Sequence, residues 1–68
     1  MSYKYAKLRG RIVEVFGTIQ RYSDVLGLSY VSVSNKLNGK TGFSQEDIEK
    51  WADLLHIEPV YYHEYFFA

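Results

Sequence analysis

Glycine at positions 17, 27 and 39 interrupts an otherwise continuous helical periodicity, and this punctuation allows little besides a bundle of short helices. From Tyr5 the apolar residues fall at Leu8, Ile12, Val15 and Phe16, one face of an amphipathic helix, with Lys4, Lys7, Arg11 and Glu14 on the other. Gly17 stops that helix, and the Thr18 hydroxyl is placed to accept from the free amides opening a second one over residues 19–26. Its expected inward side chains are Tyr22, Val25 and Leu26. Gly27 ends it and Ser29 reopens a helix over residues 30–38, which buries Val33 and Leu37 and closes on Asn38-Gly39. After a loop at residues 40–43, Ser44-Gln45-Glu46-Asp47 has the form of an N-terminal cap. The helix it opens carries Ile48, Trp51, Ala52 and Leu55 inward, and Glu46, Glu49 and Asp53 outward around Lys50. Pro59 suits the first position of a short fifth helix, beyond which lie Tyr61, Tyr62, Tyr65, Phe66 and Phe67. The expectation is an all-α, compact bundle of about five helices, a single domain over residues 1–68.

A chain of 68 residues buries only roughly 60% of its unfolded surface, so stability must come from helix packing or association. Cysteine is absent, which removes disulfides and thiolate metal sites as supports. The first ten residues are charged and aromatic rather than a basic stub followed by an apolar run, and no stretch approaches the ~20 apolar residues of a membrane span. These features predict a soluble, cytoplasmic protein.

The formal net charge is zero, but the charges are segregated. Residues 1–42 hold seven Lys and Arg against two carboxylates, a net +5, and residues 43–68 hold one Lys against six carboxylates, a net −5. One basic end is therefore expected to face a polyanion and one acidic end to face away.

Residues 18–39 have the glycine, caps and apolar spacing of a helix-turn-helix. Tyr22 and Val33 can pack between its helices, Ser23 is small at their approach, and Gly27 makes the turn. This leaves Tyr30, Val31, Ser34, Asn35 and Asn38, with Ser29 and Ser32, on an uncommitted, short-chained face of the second of these helices. Such a face suits the major groove: Asn35 can pair with an adenine edge, Ser34 with several bases, and Val31 can cover a thymine methyl.

The run T-I-Q-R-Y-S-D-V-L-G-L-S-Y-V-S-V-S-N-K-L-N-G over residues 18–39 resembles the helix-turn-helix of the phage repressor and Cro superfamily, the XRE family. With Lys7-Leu8-Arg9-Gly10, Lys36-Leu37-Asn38-Gly39 and Tyr65-Phe66-Phe67, the chain looks like short Cro-like proteins of phages and prophages of Gram-positive bacteria. The resemblance implies a lambda-repressor-like bundle acting as a sequence-specific transcriptional regulator, a Cro-type repressor bound as a homodimer to a two-fold symmetric operator on double-stranded DNA. Two third helices would then lie about 34 Å apart along the duplex, in the nucleoid of a bacterial cell. Base reading would fall on Tyr30, Val31, Ser34 and Asn35. Backbone contacts would fall on Thr18, Gln20, Ser29, Ser32, Lys36, Asn38, Lys40 and Thr41. Where the family usually carries glutamine directly after the threonine, this chain has Ile19, with Gln20 next.

The five terminal aromatics, Tyr61, Tyr62, Tyr65, Phe66 and Phe67, exceed what so small a core readily hides, and are assigned either to core closure or to a dimer interface. His56 and His63 are seven residues apart without further strong ligands, so no metal is expected. The carboxylates at positions 46, 47, 49 and 53 follow an exposed helix face where desolvation is slight, and no nucleophile elbow or phosphate loop is present. No enzymatic activity, cofactor or small-molecule ligand is therefore expected. The alternative function is a helical protein-interaction module, an anti-repressor or partner-docking domain that has kept the fold without DNA affinity; zero net charge and Ile19 favour it.

Overall fold

The computed structural model describes residues 5–67. Lys4, counted above in the basic half, lies outside the described residues, as do the first three residues and Ala68. The described chain is all-helical: α1 (Ala6–Phe16), α2 (Ile19–Leu26), α3 (Tyr30–Leu37), α4 (Gln45–Leu55), a 3-10 turn (Pro59–Tyr61) and α5 (Tyr62–Phe66). The fifth helix is thus split, because Pro59 opens a tight 3-10 turn that passes into a short α-helix.

Local chemistry explains most boundaries. The hydroxyls of Thr18, Ser29 and Ser44 accept from the backbone N–H groups of Arg21, Ser32 and Asp47, each closing the open end of a helix. At α4 the cap is reciprocal, since the Asp47 carboxylate accepts from the Ser44 N–H at 3.1 Å. Gly27 adopts φ +77°, which lets the chain turn from α2 into α3 within three residues. The end of α4 has no glycine. His56 takes the left-handed conformation instead (φ 57°), and the following Ile57 N–H bonds back to the Ala52 carbonyl at 2.9 Å. A side chain at such a φ is strained, so His56→Gly is expected to stabilise the fold by about 0.5–1 kcal/mol. A higher urea midpoint at unchanged slope is the expected reading; an equal or lower one would show that the imidazole offsets the strain.

The core gathers Leu8 and Ile12 of α1, Tyr22 and Leu26 of α2, Val33 and Leu37 of α3, Ile48, Trp51, Ala52 and Leu55 of α4, then Ile57 and Phe66. Edge-to-face ring contacts run through it: Tyr22 and Phe43 lie 5.2 and 4.8 Å from Trp51, and Phe66 lies 5.4 Å from Phe43. Phe43, expected only as a loop residue, is a hub of this network. Polar contacts as well as packing tie α1 to the rest. Arg11 donates to the Leu55 carbonyl at 2.9 Å, where a cation meets the negative end of α4, and Lys7 pairs with Glu64 of α5 at 3.1 Å.

Two expectations about burial are corrected, and one left open between core and interface is decided. Val25 is not inward but 52% exposed, because the buried stripe of α2 runs through Tyr22, Ser23 and Leu26 and Val25 lies ~100° around the helix from its centre. Val15 shares the face of Leu8 and Ile12 but lies in the last turn of α1, where it is 37% exposed. Phe66 belongs to the core at 3% exposure, so it is withdrawn from any interface with a second chain. Tyr62 and Tyr65 pack half-buried against that core, while Tyr61 and Phe67 remain exposed.

Candidate functional site

Helices α2 and α3 are joined by the tight turn at Gly27, and α3 offers an outer face beginning at Tyr30 and Val31. Most polar side chains assigned to that surface are occupied by the fold itself. Thr18 caps α2, and Gln20 donates to Asp24 of its own helix at 3.0 Å. Ser29 caps α3 and donates to the Ser32 hydroxyl at 3.0 Å. Asn38 accepts from the Arg9 guanidinium at 2.8 Å and reaches the Ser34 hydroxyl at 3.4 Å.

Lys36 is the most fully committed of these residues. Its ammonium donates to the Gly42 carbonyl and to Asp47, each at 3.0 Å, and stands 5.6 Å from the Phe43 ring centre. Its side chain is only 18% exposed, so it points along the α3–α4 connection rather than outward. Desolvation opposes ionisation of Asp47, but the hydrogen bonds from Lys36 and Ser44 and the Lys36 charge outweigh it and hold the carboxyl below its ordinary range.

The accessible surface on this side mixes exposed polar residues, among them Arg21, Ser32, Lys40 and Thr41, with exposed apolar ones. Val25, Leu28, Tyr30 and Val31 are 52, 40, 47 and 64% exposed. Among the described residues, Tyr30, Asn35, Lys40 and Thr41 make no side-chain hydrogen bond to the protein, and Asn35 and Thr41 line a shallow depression of about 240 Å³ with Ser32 and Lys36. Apolar side chains of this size and exposure suit contact with another protein surface more than contact with phosphates.

A second accessible region lies on α4. Between α4 and the C-terminal segment, Gln45, Ile48, Glu49, Pro59, Tyr62 and Phe67 enclose a groove of about 460 Å³. Sequence reasoning had distributed these residues among a cap, an inward row, an outward face, a helix start and the tail, and missed the groove, which forms only when Pro59 turns the chain back along α4. No group of three or more metal-ligating side chains occurs among the described residues. No helix among them is long and apolar enough to cross a membrane.

Residues 1–68 match the family described as "Protein of unknown function (DUF739)". The chain belongs to that family. Among solved structures, this DUF739 protein is similar to the modulator of repression (MOR) of the temperate bacteriophage TP901-1 from Lactococcus lactis, determined in solution. The two share 39% identity over 98% of this chain and 90% of the other, with a TM-score of 0.85. No curated protein matches.

These comparisons confirm the all-helical fold and correct the functional expectation. The chain is assigned to DUF739 rather than to the Cro or XRE repressors, and its solved relative is a modulator of repression rather than a repressor. The Cro-type role, the symmetric operator on double-stranded DNA as partner and the DNA-bound homodimer are therefore set aside. Part of the physical reason for the misreading is that serine and asparagine serve equally as helix caps and bridges, which is the place here of Ser29, Ser32 and Asn38, whereas Tyr30 and Asn35 keep their polar groups free of the fold.

Proposed function

We propose that this protein is a regulatory protein-interaction module that modulates repression by binding a repressor protein. The observation that carries this reading is the 39% identity, spanning nearly the whole of both chains, with a phage modulator of repression. The exposed apolar side chains support it, as does a zero net charge, which gives weak attraction for a polyanion. The chain acts as one non-catalytic domain inside the bacterial cell, where repression takes place; the carboxylates at positions 46, 49 and 53 lie on a solvent-facing helix surface unsuited to acid-base chemistry.

The test uses the repressor of phage TP901-1 on a fluorescent operator duplex, titrated with this chain. The expected result is a change of about tenfold or more in the repressor's apparent operator affinity, the size of an ordinary coupling between two binding events. The chain alone is expected to leave the duplex anisotropy unchanged at the same concentrations. A repressor that neither binds this chain nor changes its operator affinity in its presence would count against the proposal.

A further inference from the structure

We infer that the groove between α4 and the C-terminal segment docks a cationic amphipathic helix of a protein partner. The inference takes from the proposed function only that the partner is a protein. The groove floor is Ile48, Pro59 and Tyr62, and Phe67, at 57% exposure, stands at its edge with the His63 ring stacked on it at 5.8 Å. An amphipathic helix lays an apolar stripe into such a floor through residues spaced i, i+3 or i+4, and i+7. The described residues contain no strand, so there is no sheet edge to which an extended segment would add.

Charge decides the chemistry of the occupant. Glu46, Glu49 and Asp53 are spaced i, i+3 and i+7 on α4, forming one exposed row along the groove, with Glu49 itself lining it. Among the described residues, none of the three forms an ion pair, whereas Asp47 and Glu64 are neutralised by Lys36 and Lys7 from the basic half. No lysine or arginine lines the groove, and Lys50 turns toward α2, its ammonium 3.5 Å from the Leu26 carbonyl. An apolar floor beside unpaired carboxylates fits a helix with apolar anchors and Lys or Arg on its flank, and repels an acidic one. The exposed side chains of α2 offer no comparable acidic row, since Arg21 and Asp24 balance there, and Lys40 follows α3.

The experiment selects peptides of about 16 residues, roughly four helical turns, from a random library against the full chain. The expected consensus combines apolar residues at helical spacing with net positive charge. A synthetic peptide of that consensus is expected to bind about tenfold or more weakly to Glu46→Lys/Glu49→Lys and to Phe67→Asp, with thermal melts close to that of the parent. Val31→Asp is expected to bind it as the parent does. An acidic or uncharged consensus overturns the inference. So does binding abolished by Val31→Asp but kept by the groove variants, or a doubled sedimentation mass that the groove variants abolish, which would make a second copy the occupant. The same measurements separate this inference from the function proposed above. If the parent alters repressor–operator affinity but no cationic helical peptide binds the groove, the groove assignment fails and that function stands. If the peptides bind the groove but the parent leaves the repressor untouched, the groove stands and that function fails.

Discussion

Trp51→Ala is expected to cost about 3–5 kcal/mol, the range for deleting a large aromatic side chain from a packed core. The ring is 1% exposed and joins α4 to α2 through Tyr22 and to the α3–α4 loop through Phe43. The Tyr22 hydroxyl also leans on this position, donating to the Trp51 carbonyl at 3.4 Å, and burial raises the Tyr22 phenol well above its ordinary pKa. A domain of this length has a total stability on the order of 3–10 kcal/mol, so the substitution removes most of it. The melting temperature should fall by roughly 15–30 °C or the cooperative transition should disappear, followed by circular dichroism. Trp51→Phe, which keeps an aromatic ring in contact with Tyr22 and Phe43, should lose markedly less. A loss below about 1 kcal/mol for the alanine variant would mean that the aromatic network is not what joins these helices.

The second large effect belongs to Lys36 and Asp47. Lys36→Ala is expected to cost about 2 kcal/mol, because the Gly42 carbonyl and a partly buried carboxylate lose a charged donor together. Asp47→Asn should cost about 1–2 kcal/mol through the same bridge and the weakened reciprocal cap on α4. Since both remove one interaction, the double variant should cost about 1 kcal/mol less than the sum. The carboxyl of Asp47 is held below its ordinary value of 3.8, so its stabilisation is complete above that value and disappears as pH falls through the lower folded-state value. Urea midpoints measured from neutral pH into the acid range should therefore fall less steeply for Asp47→Asn than for the parent. Strict additivity of the two substitutions, or identical acid limbs, would show Lys36 to be a solvated side chain, as its place beside the reading face of a helix-turn-helix would suggest.

The contrast between these residues shows which kinds of signal a linear chain carries. The caps at Thr18, Ser29 and Ser44 were legible because the groups that meet are three residues apart. The inward row of Ile48, Trp51, Ala52 and Leu55 was legible because helical geometry projects those positions to one side whatever lies opposite. The left-handed stop at His56 was not, since nothing about histidine announces a positive φ and the turn is held by packing of Ile57 into the core. Nor was the direction of Lys36: a long flexible side chain at the end of α3 has both an outward and an inward arrangement, and the choice depends on a carboxylate eleven residues away.

The sequence by itself determined the helices, their stops and most of the core, because these follow from periodicity and from contacts within one turn of the chain. It also determined that charge is divided between two halves. Only the tertiary structure decided which polar groups remained for a partner. The Ser32 and Ser34 hydroxyls and the Asn38 amide at the end of α3 were taken up by contacts within the fold, Phe66 and Phe43 were drawn into or against the core, and Phe67 was left over a groove beside unpaired carboxylates. Two helices joined by a tight turn are a packing solution, and what they bind is set by the side chains the packing leaves unused, which is why spacing alone could not distinguish a DNA partner from a protein one.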